Sequence, residues 1–165
     1  MDLNIPRDPF TDYPEHRRIG MEKIVMLSGG FDPVHIGHVK MFQEAQQFGD
    51  RVVVGLNSDA WLTRKKGKPF MPYEERKEIL EAIKYIDYVF SFDDTDDTAR
   101  DFIRHVSQVY LTDSTTQLYF ANGGDRTNKT TPEMAYCKER GVKLLWEVGG
   151  RKIQSSSVLT GVKQN

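Results

Sequence analysis

The chain has 165 residues, 38% of them hydrophobic and 28% charged, with a formal net charge of −1 and one cysteine. That length fits one domain with a core of its own, and the composition is that of a globular protein. The charge balance argues against a general nucleic-acid binder, and the lone Cys137 excludes an internal disulfide.

The first residues are polar and proline-interrupted, with no apolar run for a signal peptide or membrane span, so a cytoplasmic protein is expected. Met1–Met21 reads as an N-terminal arm and residues 22–165 as the domain. Lys23–Leu27 predicts a strand and Ile36–Phe48 a helix. Arg51–Leu56 is a short apolar run, as for a strand buried on both faces. Arg64-Lys65-Lys66-Gly67-Lys68-Pro69 reads as a basic loop punctuated by glycine and proline. Pro72–Lys84 has helical spacing at Ile79, Leu80 and Ile83. Then follow a strand at Tyr88–Phe92, a helix at Asp97–Val106, a strand at Leu118–Ala121, a helix at Pro132–Arg140 closed by Gly141, a strand at Val142–Val148 and a short helix at Ser155–Val162. Strands alternating with helices imply a single α/β domain on a doubly wound, Rossmann-like parallel sheet. Ligands of such sheets bind beyond the carboxyl ends of the strands.

The loop after the first strand carries the strongest signal, Ser28-Gly29-Gly30-Phe31-Asp32-Pro33-Val34-His35-Ile36-Gly37-His38. Gly29 and Gly30 let backbone amides approach an anion, and the helix that follows points its N-terminal N–H groups at the same place. His35 and His38 share one side of the first helical turn, with Gly37 leaving room between them. A strand, a glycine-rich turn and a paired-histidine helix start make a polyphosphate site.

This segment resembles the phosphate-binding signature of the nucleotidylyltransferase superfamily, the His-x-Gly-His enzymes. Its small members include glycerol-3-phosphate cytidylyltransferase and the adenylyltransferase domain of ADP-heptose synthase. The resemblance implies transfer of a nucleoside monophosphate from CTP or ATP to a small phosphorylated alcohol or sugar, with release of pyrophosphate. It also implies Mg2+ held mainly by the triphosphate, no dedicated protein metal site, and a homodimer. His35 and His38 would donate to phosphate oxygens, and Gly29, Gly30 and Phe31 would offer backbone donors. Lys66 would clamp the outer phosphates from a mobile loop, a role that Lys65 or Lys68 could also fill. Asp32 and Asp125 could assist the metal.

Weaker matches follow in the family's order. Arg76, in Tyr73-Glu74-Glu75-Arg76, matches a phosphate- or acceptor-binding arginine. Lys84-Tyr85-Ile86-Asp87 resembles an Arg-Tyr-Val-Asp signature that leans towards the cytidylyl branch, with lysine in place of arginine. Gly124-Asp125 matches a ribose- or base-binding pair, with Arg126 as a second cation. Ser155-Ser156-Ser157, with Arg151 nearby, resembles the closing segment that binds the outer phosphates. Asp93-Asp94-Thr95-Asp96-Asp97 lacks calcium-loop spacing and reads as a solvated loop capping a helix. An adenylyltransferase of the ADP-heptose-synthase type and a non-catalytic nucleotide sensor are the alternatives.

Overall fold

In the computed structural model, residues 22–110, 115–123 and 132–149 are described. The elements, in chain order, are β1 (Glu22–Gly29), α1 (Ile36–Phe48), β2 (Arg51–Leu56), α2 (Asp59–Lys66), α3 (Tyr73–Glu81), β3 (Tyr88–Ser91), α4 (Arg100–Tyr110), β4 (Thr116–Gly123), α5 (Met134–Glu139) and β5 (Lys143–Val148). The strands form one parallel sheet in the order β3-β2-β1-β4-β5. β1 is central, and the strand order reverses between β1 and β4.

Alternate side chains of a strand face opposite sides of the sheet, so β1 feeds two cores. Ile24 and Met26 pack with Val53, Leu118, Phe120 and the α4 residues Phe102, Ile103 and Val106. Val25 and Leu27 pack with Val52, Val54 and Leu56, against Phe42 and Ala45 of α1 and Leu80 of α3. This two-sided burial is why β1 and β2 read as unbroken apolar runs rather than alternating ones. Gly55 is the one break in β2. A Cβ there would sit 2.6 Å from Cγ of Phe102 and 2.7 Å from Cδ2. Gly55→Ala is therefore expected to destabilise the fold by about 1–3 kcal/mol through overpacking, read by urea denaturation.

The sequence-derived helix Ile36–Phe48 and strand Arg51–Leu56 match to the residue. Pro72 caps α3 rather than opening it, and α4 starts later than expected because Asp96 and Thr98 form a turn ahead of it. The basic segment needs correction. Arg64, Lys65 and Lys66 are the last turn of α2, not a loop. Ser58 caps that helix by accepting the Trp61 amide at 3.1 Å, and Gly67 ends it at φ +93°, a value that suits glycine. Three cations in the last turn complement the helix dipole. The N-terminal arm and the expected helix Ser155–Val162 lie outside the described residues. No described helix is long and apolar enough to cross a membrane.

Candidate active site

The signature loop runs from the carboxyl end of β1 to the start of α1. His35 is the N-cap of α1, and its Nδ1 accepts the Gly37 amide at 3.1 Å. The Nδ1 of His38 in turn accepts the His35 amide at 3.2 Å. The two rings stack 3.7 Å apart, inclined by 24°. This reciprocal cap has a chemical consequence. Each Nδ1 faces an N–H donor and must carry a lone pair, so in the neutral rings the proton sits on Nε2. Helix capping thus leaves each imidazole an Nε2–H donor beside the α1 N-terminus, where backbone amides already favour an anion.

Phe31 enters the loop at φ +47° yet buries its ring, T-shaped against His38 at 4.9 Å and tilted on Phe42 at 5.4 Å. A bulky side chain in the left-handed region is strained, and this burial offsets the cost. Gly30 is closely packed: a Cβ there would lie 2.8 Å from Cδ2 of Leu62 and 3.3 Å from the indole of Trp61, so a larger residue displaces the Leu62 side chain.

Three expected ligand-binding side chains are placed differently. Asp32 is 2% exposed, and its carboxylate accepts the amides of Phe70 and Met71, each at 2.6 Å. It also pairs with the Lys66 ammonium at 2.8 Å, which donates to the Asp32 carbonyl at 2.8 Å as well. Lys66 is therefore a buried brace and not a cation on a mobile loop, and the Asp32 oxygens are engaged by protein rather than turned to a metal or nucleotide. Arg76 is 1% exposed. Its guanidinium donates to the carbonyls of Met71, Gly30 and Asn57 and to the Asp59 carboxylate, at 2.7–2.9 Å. The Gly30 and Asn57 carbonyls lie just past the ends of β1 and β2, where no neighbouring strand can satisfy them. The five fixed N–H groups of an arginine can serve several such acceptors at once. Arg76 thus supports the loop from beneath, in place of the expected contact with phosphate or acceptor.

Lys84 is misplaced for a ligand. Lys84-Tyr85-Ile86-Asp87 precedes β3, at the amino edge of the sheet and opposite the signature loop. Asp87 accepts the Val52 amide there at 2.8 Å. The segment closes that edge, which gives its lean towards CTP no basis in ligand contact.

Asp94 belongs to a support that the sequence reading missed. It is 4% exposed and accepts from Asn57 Nδ2, the Ser58 amide and the Ser58 hydroxyl at 2.7–3.1 Å. Asp93 and Asp96 close turns ahead of α4 by accepting the Thr95 and Thr98 amides. The Thr95 hydroxyl, then its amide, hold Asp93 below the ordinary carboxylate range, and the Thr98 amide does the same for Asp96. Stabilisation from both is present above that range and is lost as pH falls through the depressed values. Gly124, Asp125, Arg126, Arg151, Ser155, Ser156 and Ser157 lie outside the described residues.

Cys137 takes no part in this edge. Burial, and secondarily the Glu133 carboxylate, push its thiol up to about 12. A thiol reagent at pH 8 is expected to leave the native protein unmodified and to titrate one thiol per chain after unfolding.

Residues 26–157 match the cytidylyltransferase-like family. Bifunctional protein HldE of Geobacter sulfurreducens is 49% identical over 75 residues, covering 44% of this chain and 15% of that protein. HldE of Wolinella succinogenes is 34% identical over 149 residues, covering 89% and 29%. The chain thus spans less than a third of the length of these relatives. In fold, it is similar to the lipopolysaccharide core biosynthesis protein of Thermoplasma volcanium, with TM-score 0.57, 21% identity and coverage of 76% of this chain and 95% of that one. It is also similar to a bifunctional NMN adenylyltransferase/ADP ribose pyrophosphatase of Francisella tularensis, with TM-score 0.63, 17% identity and coverage of 84% and 41%. The match over most of the chain, with the paired-histidine loop on the carboxyl edge of the parallel sheet, means that the chain belongs to the cytidylyltransferase-like family.

Proposed function

We propose that this protein transfers a nucleoside monophosphate from a nucleoside triphosphate to a small phosphorylated acceptor, releasing pyrophosphate. The observation that carries this reading is the His35–His38 cap, in which each Nδ1 accepts a backbone amide at the start of α1 and the donor nitrogen of each neutral ring is therefore Nε2. A phosphate acceptor has a second pKa of about 6, so it is already an anionic nucleophile at neutral pH and needs no general base. The protein's task is to hold two mutually repelling anions in line and to stabilise charge at the α-phosphorus. His38 would act on the α-phosphate, with His35 beside it and the amides of Gly29, Gly30 and Phe31 around them. Asp32, Lys66 and Arg76 act indirectly, by fixing the loop that carries these donors.

Mg2+ would neutralise charge on the triphosphate oxygens. Among the described residues no three His, Cys, Asp or Glu side chains converge to hold a metal. With Asp32 engaged, phosphate oxygens and water would supply the coordination, which suits this ion. ATP is the first donor to test, in line with the HldE relatives, and CTP is the second, in line with the family. A polyol phosphate or sugar 1-phosphate is the acceptor, and a homodimer remains part of the proposal.

The test is pyrophosphate release by the full chain with ATP or CTP, Mg2+ and a panel of phosphorylated alcohols and sugars. Acceptor-dependent release supports the reading. Nucleotide binding without release under any pairing would leave a sensor instead.

A further inference from the structure

Among the described residues the two most exposed large apolar side chains are Phe70, at 60%, and Ile36, at 52%. Both stand at the signature loop. Ile36 lies between His35 and Gly37, and the Phe70 amide is bound to the Asp32 carboxylate. Isolated exposed apolar residues are ordinary, but Phe70 sits on a backbone fixed from several directions. Its own amide and that of Met71 rest on Asp32, and the Met71 carbonyl accepts from Arg76. Lys66 neutralises the same carboxylate from beneath. A buried ionic network thus holds still a segment whose largest side chain is an exposed ring. Fixing a contact residue in advance lowers the ordering cost of binding.

Sheet order says which substrate this ring meets. The strand order reverses between β1 and β4, and a nucleotide lies in the crevice at such a reversal. The Phe70 segment follows α2, which follows β2, so it borders the signature loop on the side away from that crevice. With a nucleotide in that crevice, this is the side left open to a second substrate.

We propose that Phe70 is a specificity-determining residue for the acceptor, a platform for the C–H face of a ring-shaped phosphorylated acceptor. The inference rests on the nucleotidyl-transfer reading. An aromatic face rewards a flat apolar surface, which a cyclic sugar offers and a short linear polyol does not.

Phe70→Ala and Phe70→Tyr are assayed beside the wild type with hexose 1-phosphate and with glycerol 3-phosphate, under ATP and under CTP. For hexose 1-phosphate, Phe70→Ala is expected to raise KM about tenfold, while the KM for nucleotide and the KM for glycerol 3-phosphate hold and Phe70→Tyr restores the wild-type value. An unchanged KM for hexose 1-phosphate, an equal rise for both acceptors, or an equal rise for the nucleotide would overturn the assignment while leaving the reaction in place. Absence of wild-type turnover with every pairing would remove the reaction itself, and the assignment with it. Thermal melting of each variant excludes loss of fold as the cause, since an exposed ring contributes little to the core.

Discussion

A His38→Asn protein will release pyrophosphate about 100- to 1000-fold more slowly than the wild type, the usual effect of losing one preorganised donor to a charged transition state. It will also melt close to the wild type. The two outcomes come from the two nitrogens of one ring. Asparagine places Oδ1 where Nδ1 stood, so the His35 amide, which donates to Nδ1 at 3.2 Å, keeps an acceptor and α1 keeps its cap. Nothing replaces Nε2–H. His38→Ala loses both functions and should fall further in stability, by about 1 kcal/mol for the lost cap. His35→Asn should show the same pattern with a smaller rate loss. Near-normal turnover by a folded His38→Asn protein would overturn the mechanism, and kcat from initial pyrophosphate release together with the melting temperature decides it.

Asp32→Ala is expected to cost about 3–5 kcal/mol, the range for stripping one partner from a buried ion pair. It would leave the Lys66 ammonium, its side chain 4% exposed, with only the Asp32 carbonyl, and it would orphan the Phe70 and Met71 amides. Against a typical total of about 5–15 kcal/mol, that is a large share. Asp32→Asn combined with Lys66→Met removes both charges while keeping an amide-sized acceptor. The double variant should be more stable than the sum of the single losses predicts, a coupling that denaturant titration of all four proteins reads directly. Additive losses would show that the pair is not the brace described here. The same series separates the two roles considered for Lys66. A phosphate clamp would raise the KM for triphosphate without moving stability.

The sheet was legible because its signal is local. A five- or six-residue apolar run between turns has few readings other than a strand buried on both faces, and His35 marks the helix start that the structure shows. α2 was equally legible in principle: Ser58 as N-cap, Asp59 in the first turn, cations in the last and Gly67 beyond. The run of positive charge drew the reading towards a loop instead, although basic residues at a helix C-terminus are favourable. Arg76 and Lys84 illustrate a different limit. Residue type and order can be matched to a pattern along the chain, but the edge of the sheet that a residue reaches depends on where neighbouring strands end. Asp32 meets the Phe70 and Met71 amides across 38 and 39 residues of sequence. No window of local periodicity contains such a contact. A buried aspartate and an ion-paired lysine also look the same in sequence as a metal ligand and a phosphate clamp.

The left-handed backbone of Phe31 has a consequence for how this protein tolerates change. The loop holds that conformation because the Phe31 ring is seated on Phe42, in the core beneath α1. The shape of the proposed anion site is therefore underwritten by a hydrophobic contact buried in the core. Drift at Phe42 or its neighbours would reach the chemistry before it reached solubility, so the interior on this face of the sheet has less freedom to vary than its burial alone implies.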